Sequence, residues 1–363
     1  MKDKKVVGIL FGGKSAEHEI SLLSAKNVYE AIDRTLFEPV LFGIDKRGRW
    51  HLFDAEQFLL NADNPSLVSL NSGGKPVIYK TENIGMLSTD SAGNVPLDVV
   101  FPILHGPFGE DGTIQGLLKL ADIPFVGPGV LGSAIGMDKD AMKRLLRDSG
   151  IPAGKFISLK SHEKTPSFED IAAALGKPFF IKPANMGSSV GINKVYNREE
   201  YSDALCDAFQ YDTKIIIEEY IQGREIECAV LGNEEPAASV PGEIIPSHEF
   251  YSYDAKYLDE KGASLVIPAK LDDKTIRRIQ DMAVKVFQTL CCEGLSRVDF
   301  FLKDSGDLIV NEINTMPGFT RISMFPKMWE ASGVSYTELI TRLITLALSR
   351  FEKERHLKTS VAG

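Results

Sequence analysis

The stretch from Phe179 to Ile192 constrains the fold more than any other part of the chain. An apolar run, Phe179-Phe180-Ile181, ends in Lys182-Pro183, and the proline pushes the lysine toward extended backbone, so the lysine closes a strand. The small-residue segment Ala184-Asn185-Met186-Gly187-Ser188-Ser189 follows, and a second β-branched run starts at Val190 and reaches Val195. The pattern predicts strand, loop, strand. A Walker-type phosphate loop has its glycines ahead of the lysine and opens a helix, whereas here glycine and serines come after it and lead into another strand. Two readings are open at this point. One is an ordinary hairpin with a solvated lysine. The other is a flap over residues 182–192, in which Lys182 is a point charge and Gly187, Ser188 and Ser189 offer N–H groups and hydroxyls to a polyphosphate.

A chain of 363 residues has room for two or three domains, and 44% apolar with 25% charged residues is ordinary globular composition. The formal net charge of −9 argues against a nucleic-acid or anionic-membrane binder, which needs clustered positive charge. Any anionic ligand must be met locally. Val6 to Phe11 is too short for a signal-peptide core and soon meets Lys14, Glu17 and Glu19, and no run approaches the roughly 18 apolar residues of a membrane span. Cys206, Cys228, Cys291 and Cys292 have neither CxxC nor zinc spacing, with the last two inside a predicted helix. Buried free thiols in a cytoplasmic protein are expected.

Val6 to Phe11 reads as a buried strand, and Gly12-Gly13-Lys14-Ser15 turns it into a helix capped by Ser15, with Ile20, Leu23, Ala31 and Ile32 facing inward. This is the first βα unit of a doubly wound sheet. Strands over 39–44 and 97–104 follow, with a Gly/Ser/Asn-rich stretch over 61–94 between them. His105-Gly106-Pro107-Phe108-Gly109-Glu110-Asp111-Gly112 then opens a helix over 113–121. Both glycine-rich turns fall at the carboxyl ends of strands, where open α/β sheets bind ligands. A new unit begins near Gly127-Pro128-Gly129, with helices over 138–148, 167–175 and 198–209 and strands over 155–159 and 214–219 beside the flap. A third starts with a strand over 226–231 and carries a polar, aromatic loop, a helix over 273–291, a hairpin over 296–314 and a closing helix over 336–351.

The hairpin is the most informative part. A turn centred on Ser305-Gly306 makes directly opposed residue numbers sum to 611, so Asp299 faces Glu312 and Arg297 faces Asn314. All four then share one face, with Val298, Phe300, Ile309 and Ile313 on the other. Two carboxylates so close repel unless a cation lies between them, and with an amide oxygen they suit Mg²⁺. A three-residue loop with a bulge would shift this register. Lys139 and Lys182 are candidate phosphate contacts. Glu218 and Glu225 bracket the Tyr220-Ile221 connector, where backbone groups can read an adenine edge and a carboxylate can hold ribose hydroxyls. Glu17 at the first helix start suits either the helix dipole or a substrate ammonium. His105, at a strand end in a glycine-rich loop, is either a site residue or bonded to loop backbone.

Four passages together resemble the ATP-grasp fold and, within it, the D-alanine:D-alanine ligases. They are Gly12-Gly13-Lys14-Ser15-Ala16-Glu17-His18-Glu19, the His105 to Gly112 turn, Lys182-Pro183 with Gly187-Ser188-Ser189-Val190-Gly191, and Arg297-Val298-Asp299 with Asn311-Glu312-Ile313-Asn314-Thr315-Met316-Pro317-Gly318. The resemblance implies an N-terminal Rossmann-like α/β domain over 1–127, a central ATP-grasp domain over 128–220 and a C-terminal one over 221–363 with a lid loop over 247–263. It implies ATP-dependent joining of two D-alanines through a D-alanyl phosphate, for peptidoglycan. Lys139, Lys182, Lys256, Ser188 and Ser189 would meet phosphates, with Glu218, Glu219, Ile221 and Glu225 around the nucleoside. Asp299, Glu312 and Asn314 would hold two Mg²⁺ or Mn²⁺ ions. Arg297 and the Gly318 N–H would stabilise the tetrahedral intermediate. Glu17 would bind the first ammonium beside Ser188 and Tyr257, with His105 next to that subsite, and Ser323 with Met324 would meet the second carboxylate. Tyr257 points to an amine acceptor; D-lactate and D-serine are the competing acceptors. A homodimer is compatible with the pattern, and no nucleic-acid or membrane partner is expected. Gly12-Gly13-Lys14-Ser15 lacks the GxGxxG spacing of a dinucleotide-dependent oxidoreductase, and a non-catalytic nucleotide binder has no need of both the lysines and the acidic hairpin.

Overall fold

The structure is a computed structural model that describes residues 4–62, 64, 67–78, 86–89, 93–246 and 263–358. Strand β1 (Lys5–Gly12) is a continuous apolar run because both its faces are covered. Val7, Ile9 and Phe11 enter a core with helix α1 (His18–Ala31), while Leu10 enters a second core on the opposite face. Parallel neighbours flank it: β2 (Phe37–Ile44) on one side and β9 (Val99–Ile103) on the other. From β2 the sheet continues antiparallel through β3 (Trp50–Phe53), β6 (Lys75–Ile78), β7 (Met86–Thr89) and β8 (Gly93–Pro96). A short ribbon, β4 (Leu59–Leu60) with β5 (Ser69–Leu70), stands beside it. The polar 61–94 stretch thus contributes strands that widen the sheet, which its composition does not reveal.

Helix α1 begins two residues later than the sequence implies. Its N-cap position is Glu17; Ser15 Oγ accepts from the Glu17 N–H at 3.2 Å, closing a turn ahead of the helix. Leu22, Ala25 and Val28 form the buried stripe, joined by Ile32 with Ala31 and Leu23 packed against the same core, while Ile20 and part of Leu23 line a cavity. After β9 come α2 (Thr113–Leu120), α3 (Val130–Met137) and α4 (Lys139–Asp148). The short α3 has no counterpart in the sequence reading. It packs closely enough that a Cβ on Gly132 would lie 2.4 Å from the Cys291 carbonyl oxygen.

The second sheet is wholly antiparallel, in the order β10 (Phe156–Lys160), β13 (Lys214–Glu219), β11 (Phe179–Pro183), β12 (Asn193–Val195). Helices α5 (Phe168–Leu175) and α6 (Arg198–Ala208) cover one face, around Phe179, Ile181, Ile215 and Ile217. Their N-caps, Ser167 and Asn197, accept from the backbone N–H groups of Asp170 and Glu200.

The third sheet runs β17 (Ala263–Val266), β16 (Gly242–Pro246), β14 (Arg224–Gly232), β18 (Gly294–Leu302), β19 (Leu308–Asn314), with β15 (Ala237–Ala238) on β14. Helix α7 (Asp273–Thr289) packs Ile279, Ala283, Val286 and Phe287 against one face. It stops short of the cysteine pair. Cys291 stands just beyond, with φ of +54°, and is exposed, as is Cys206; only Cys228 and Cys292 are buried, which corrects the expectation that all four thiols are. Helices α8 (Met324–Ala331) and α9 (Tyr336–Arg355) complete the chain and share one core with β1, α1 and β9. Arg350 on α9 donates to the carbonyls of Phe125 at 2.8 Å and Gly127 at 2.6 Å and lies over the Phe125 ring.

The hairpin departs from the expected turn and still delivers the expected pairs. Lys303 and Asp307 close a three-residue loop in which Gly306 has φ of +85°, so opposed residue numbers next to the turn sum to 610. Phe300 therefore faces Val310, and Val310 rather than Ile309 lies on the apolar side. A bulge then takes up Asn311 and restores Asp299 opposite Glu312 and Arg297 opposite Asn314.

Candidate active site

A cavity of about 460 Å³ lies where the carboxyl end of the first sheet, the flap and the open face of the third sheet meet. Glu17 enters from the start of α1, His105 from the turn after β9, and Lys139 from the first residue of α4. The flap contributes Ser188 and Ser189. The third sheet brings Glu225, Arg297, Asp299, Glu312 and Asn314, and the segment after β19 brings Gly318, Ser323 and Met324.

The Glu17 carboxylate is gripped between two glycines. A Cβ on Gly106 would stand 2.8 Å from Glu17 Oε2, and one on Gly187 would stand 3.0 Å from it, so only glycine lets both loops close on the acid. Ser188 Oγ donates to Glu17 Oε1. Ser188 and Ser189 have φ of +51° and +59°, an uncommon conformation for serine that aims the flap toward α1. Lys139 Nζ donates to the Met186 carbonyl at 2.7 Å, and its backbone N–H to the Ala184 carbonyl at 3.0 Å, tying the flap base to α4. Burial lowers the Lys139 pKa, with Glu312 Oε2 at 3.7 Å opposing.

Arg297 makes a two-pronged contact with Asp299, Nε to Oδ1 and a terminal nitrogen to Oδ2, both at 2.8 Å, and its Nε lies 3.0 Å from Glu227 Oε2. Burial works against the guanidinium, but Asp299 and Glu227 outweigh it and hold its pKa well above the usual value. The Asn314 amide donates to Asp299 Oδ2 at 2.9 Å. In this arrangement Arg297 lies against Asp299, and Lys139, with Lys182 contributing, relieves the Glu312 carboxylate. Sequence reasoning missed Glu227. Its signal is the alternation Arg224-Glu225-Ile226-Glu227-Cys228 in β14, where Ile226 and Cys228 enter the α7 core and the acids face the cavity.

His105 is buried, and burial lowers its pKa, with Glu17 opposing. Its Nδ1–H donates to the Met316 carbonyl at 3.0 Å, and the Ser24 hydroxyl lies 3.4 Å from Nε2. Ser323 Oγ accepts from the Thr320 N–H at 3.1 Å and shares a 2.8 Å bond with the Thr320 hydroxyl.

Other expected residues lie elsewhere. Lys182 and Glu218 are on the second sheet, 8% and 6% exposed, and are paired with each other. The second oxygen of Glu218 is 2.7 Å from Lys143 Nζ, a lysine 2% exposed that sequence reasoning passed over although it stands four residues beyond Lys139 on α4. Burial opposes the Glu218 charge, but Lys143 and Lys182 outweigh it, lowering its pKa; the same pairing raises that of Lys182 against burial. Glu219 accepts from the Lys155 N–H at 2.8 Å, and Ile221 packs toward Gly154. Lys182, Glu218, Glu219 and Ile221 do not line the cavity. Lys256 and Tyr257, with the rest of 247–262, lie outside the described residues. Arg321 is exposed, with Glu30 at 3.7 Å.

The architecture is that of the ATP-grasp enzymes. It is shared with solved structures of the D-alanine-D-alanine ligase from Coxiella burnetii (TM-score 0.86, 37% identity, 97% of this chain and 96% of that one) and of the VanG D-Ala:D-Ser ligase from Enterococcus faecalis (TM-score 0.84, 37% identity, 95% and 100%). The model of the D-ala D-ala ligase N-terminus matches residues 6–128, and that of the C-terminus residues 145–345. The chain is 56% identical over 362 residues to the D-alanine--D-alanine ligase of Shouchella clausii, covering 99% of this chain and 98% of that one. It is 51% identical over 363 residues to D-alanine--D-alanine ligase A of Escherichia coli, covering 99% and 100%. The chain belongs to the D-alanine--D-alanine ligase family.

No helix among the described residues is long and apolar enough to cross a membrane.

Proposed function

We propose that this protein joins two D-alanines at the expense of ATP, releasing ADP and phosphate, for cell-wall synthesis in the cytoplasm. The observation that carries the reading is the convergence on one cavity of an anchored carboxylate (Glu17), a serine flap and a half-buried guanidinium among carboxylates (Arg297 with Asp299 and Glu227). The first D-alanine presents its ammonium to Glu17, a contact now made by the Ser188 hydroxyl. Its carboxylate attacks the γ-phosphorus of ATP, breaking the bond to ADP and forming D-alanyl phosphate. Lys139 and Lys182 hold the triphosphate, with Lys256, Ser188 and Ser189, and the nucleoside lies between the second and third sheets near Glu218, Glu219, Ile221 and Glu225. On this reading the domains run over 1–127, 128–220 and 221–363.

The second D-alanine, its carboxylate at Ser323 and the Met324 N–H, attacks the acyl carbon through its free amine. Oxygen charge develops in the tetrahedral intermediate and is met by Arg297 and the Gly318 N–H; phosphate leaves, and the amine proton goes to solvent or phosphate. His105 borders this subsite, and Tyr257 closes it from the lid. The donor set fits Mg²⁺: two carboxylates and an amide oxygen on one face of adjacent strands are hard oxygen ligands. Asp299, Glu312 and Asn314 would hold the ions, which neutralise phosphate charge when bound.

The test is incubation with ATP, Mg²⁺ and D-alanine, with products identified by mass and ADP measured in parallel. Dipeptide and ADP in equal amounts are expected. Absence of ADP release overturns the reading in favour of a non-catalytic nucleotide binder. The likeness to the VanG D-Ala:D-Ser ligase makes D-serine, with D-lactate, the competitor acceptor to include; preferential incorporation of either would replace the second D-alanine in this reading.

A further inference from the structure

Glu110 lies on the cavity wall, and none of the roles above falls to it. Its two carboxyl oxygens are spent on two backbone groups from distant parts of the chain. Oε1 accepts from the Gly106 N–H at 2.6 Å, and Oε2 accepts from the Met316 N–H at 3.2 Å. The carbonyl of the same Met316 is held by His105 Nδ1 at 3.0 Å, and the Thr315 hydroxyl lies 3.5 Å from the Glu110 carbonyl. The turn after β9 therefore grips two successive peptide planes, the one entering Met316 and the one leaving it. Pro317 follows with its φ fixed by the ring. With both planes and that φ set, one torsion, ψ of Pro317, decides where the Gly318 N–H points.

The site is a costly one for a carboxylate. Burial and Glu17 push the Glu110 carboxyl up to about 8, while the two N–H donors and Lys139 oppose. A glutamine would fill the same space without that cost, but its amide has a single acceptor oxygen. Two acceptor oxygens are what the geometry uses.

We propose that Glu110 is a positioning residue for peptide-bond formation, fixing the Met316-Pro317-Gly318 turn so that the Gly318 N–H meets the developing oxyanion. The proposal rests on the assignment of Arg297 and the Gly318 N–H to that charge. Loosening the turn leaves transfer of the γ-phosphoryl group intact and slows attack on the acyl phosphate, because only the second step develops charge there.

The test uses the full-length protein in quenched single turnovers that follow ADP and dipeptide separately, with steady-state constants alongside. Glu110→Gln is expected to keep ADP formation and the KM for ATP within about twofold, and to slow dipeptide formation at least tenfold. Glu110→Asp, which retains both oxygens, is expected to recover part of the loss. Equal slowing of both steps, or dipeptide formation at the wild-type rate, overturns the proposal whatever the melting temperature does. If the Gln variant does not fold, the Asp variant carries the same comparison: dipeptide slowed with ADP intact supports, and equal rates or equal losses overturn. Arg297→Lys separates the two levels. Slowed condensation there with none in Glu110→Gln removes only the role of Glu110, and wild-type condensation in Arg297→Lys removes the oxyanion assignment itself.

Discussion

Replacing Lys143 by methionine removes a cation that no motif marks and leaves the packing nearly intact, since the methionine stem fills similar space. Lys143 and Glu218 form an ion pair at 2.7 Å with side chains 3% and 7% exposed, and Lys182 occupies the other carboxylate oxygen. Leaving a buried charge without its partner costs about 3–5 kcal/mol. Because Lys182 remains, the ligand-free variant should lose about half of that, ~2 kcal/mol, which lowers the urea midpoint by ~0.7 M at an m-value of ~3 kcal/mol/M. A second consequence follows for ATP. If Lys182 turns from Glu218 to phosphate, Glu218 in the variant loses both of its ion-pair partners and keeps the weaker attraction of Lys139, and the penalty falls on binding: a further ~2 kcal/mol, or roughly 30-fold in Kd. Calorimetric titration with a non-hydrolysable ATP analogue reads this directly. A double-mutant cycle with Glu218→Gln should show coupling of about 1.5 kcal/mol or more, since without the carboxylate the lysine has nothing to neutralise. An unchanged midpoint with unchanged nucleotide affinity, or strictly additive losses, would refute the reasoning.

Glu312→Gln keeps the volume and removes a carboxylate charge from the ligand set; turnover should fall by over a hundredfold, about 3 kcal/mol, with melting nearly unchanged, and wild-type rates at ordinary Mg²⁺ would count against the metal assignment. Glu17→Gln should raise the KM for one of the two D-alanines by roughly 10–100-fold, as a lost charge-assisted bond implies, while the KM for ATP stays put; steady constants with reduced stability would leave Glu17 as nothing more than the residue ahead of α1. Gly132→Ala drives a Cβ to 2.4 Å from the Cys291 carbonyl and should destabilise by ~1–3 kcal/mol in denaturation, with an unshifted midpoint disproving the close approach. Burial and the Glu17 charge raise the Glu110 carboxyl to about 8 in the folded protein, above the ordinary 4.5, so its contribution to stability declines as pH rises between those values. Glu110→Gln lacks that decline, and the stability difference should move in the variant's favour over this window; parallel stability curves would show that the carboxyl is not raised.

What the sequence makes legible here is strand-and-loop chemistry that repeats at short range. The Asp299–Glu312 and Arg297–Asn314 pairs follow from alternation along two strands, and the structure has them. They arise by a route the residues do not announce: a three-residue turn moves the register by one and the bulge at Asn311 moves it back, so that two errors in a simple hairpin count cancel. Ser15 resembles an N-cap, yet tertiary demand delays the helix until Glu17 can reach between Gly106 and Gly187. Lys143 and Glu227 were illegible for a common reason. Each looks like a solvated face of its own element, and only the arrival of a distant element, β13 for one and β18 for the other, turns it inward. Glu110 sat inside a recognised motif, but its partner is 206 residues away.

The single core that joins β1, α1 and β9 to α8 and α9, fastened by Arg350 on the carbonyls of Phe125 and Gly127, bears on how the chain is made. A ribosome adding about 5–20 residues per second needs on the order of tens of seconds to go from Gly127 to Arg350. Throughout that interval the first sheet lacks Phe319, Phe325, Leu339 and Leu343, side chains that later seal its α1 face. The nascent N-terminal third therefore waits with that apolar face uncovered, and a fragment ending near residue 128 should be sticky where the finished protein is not.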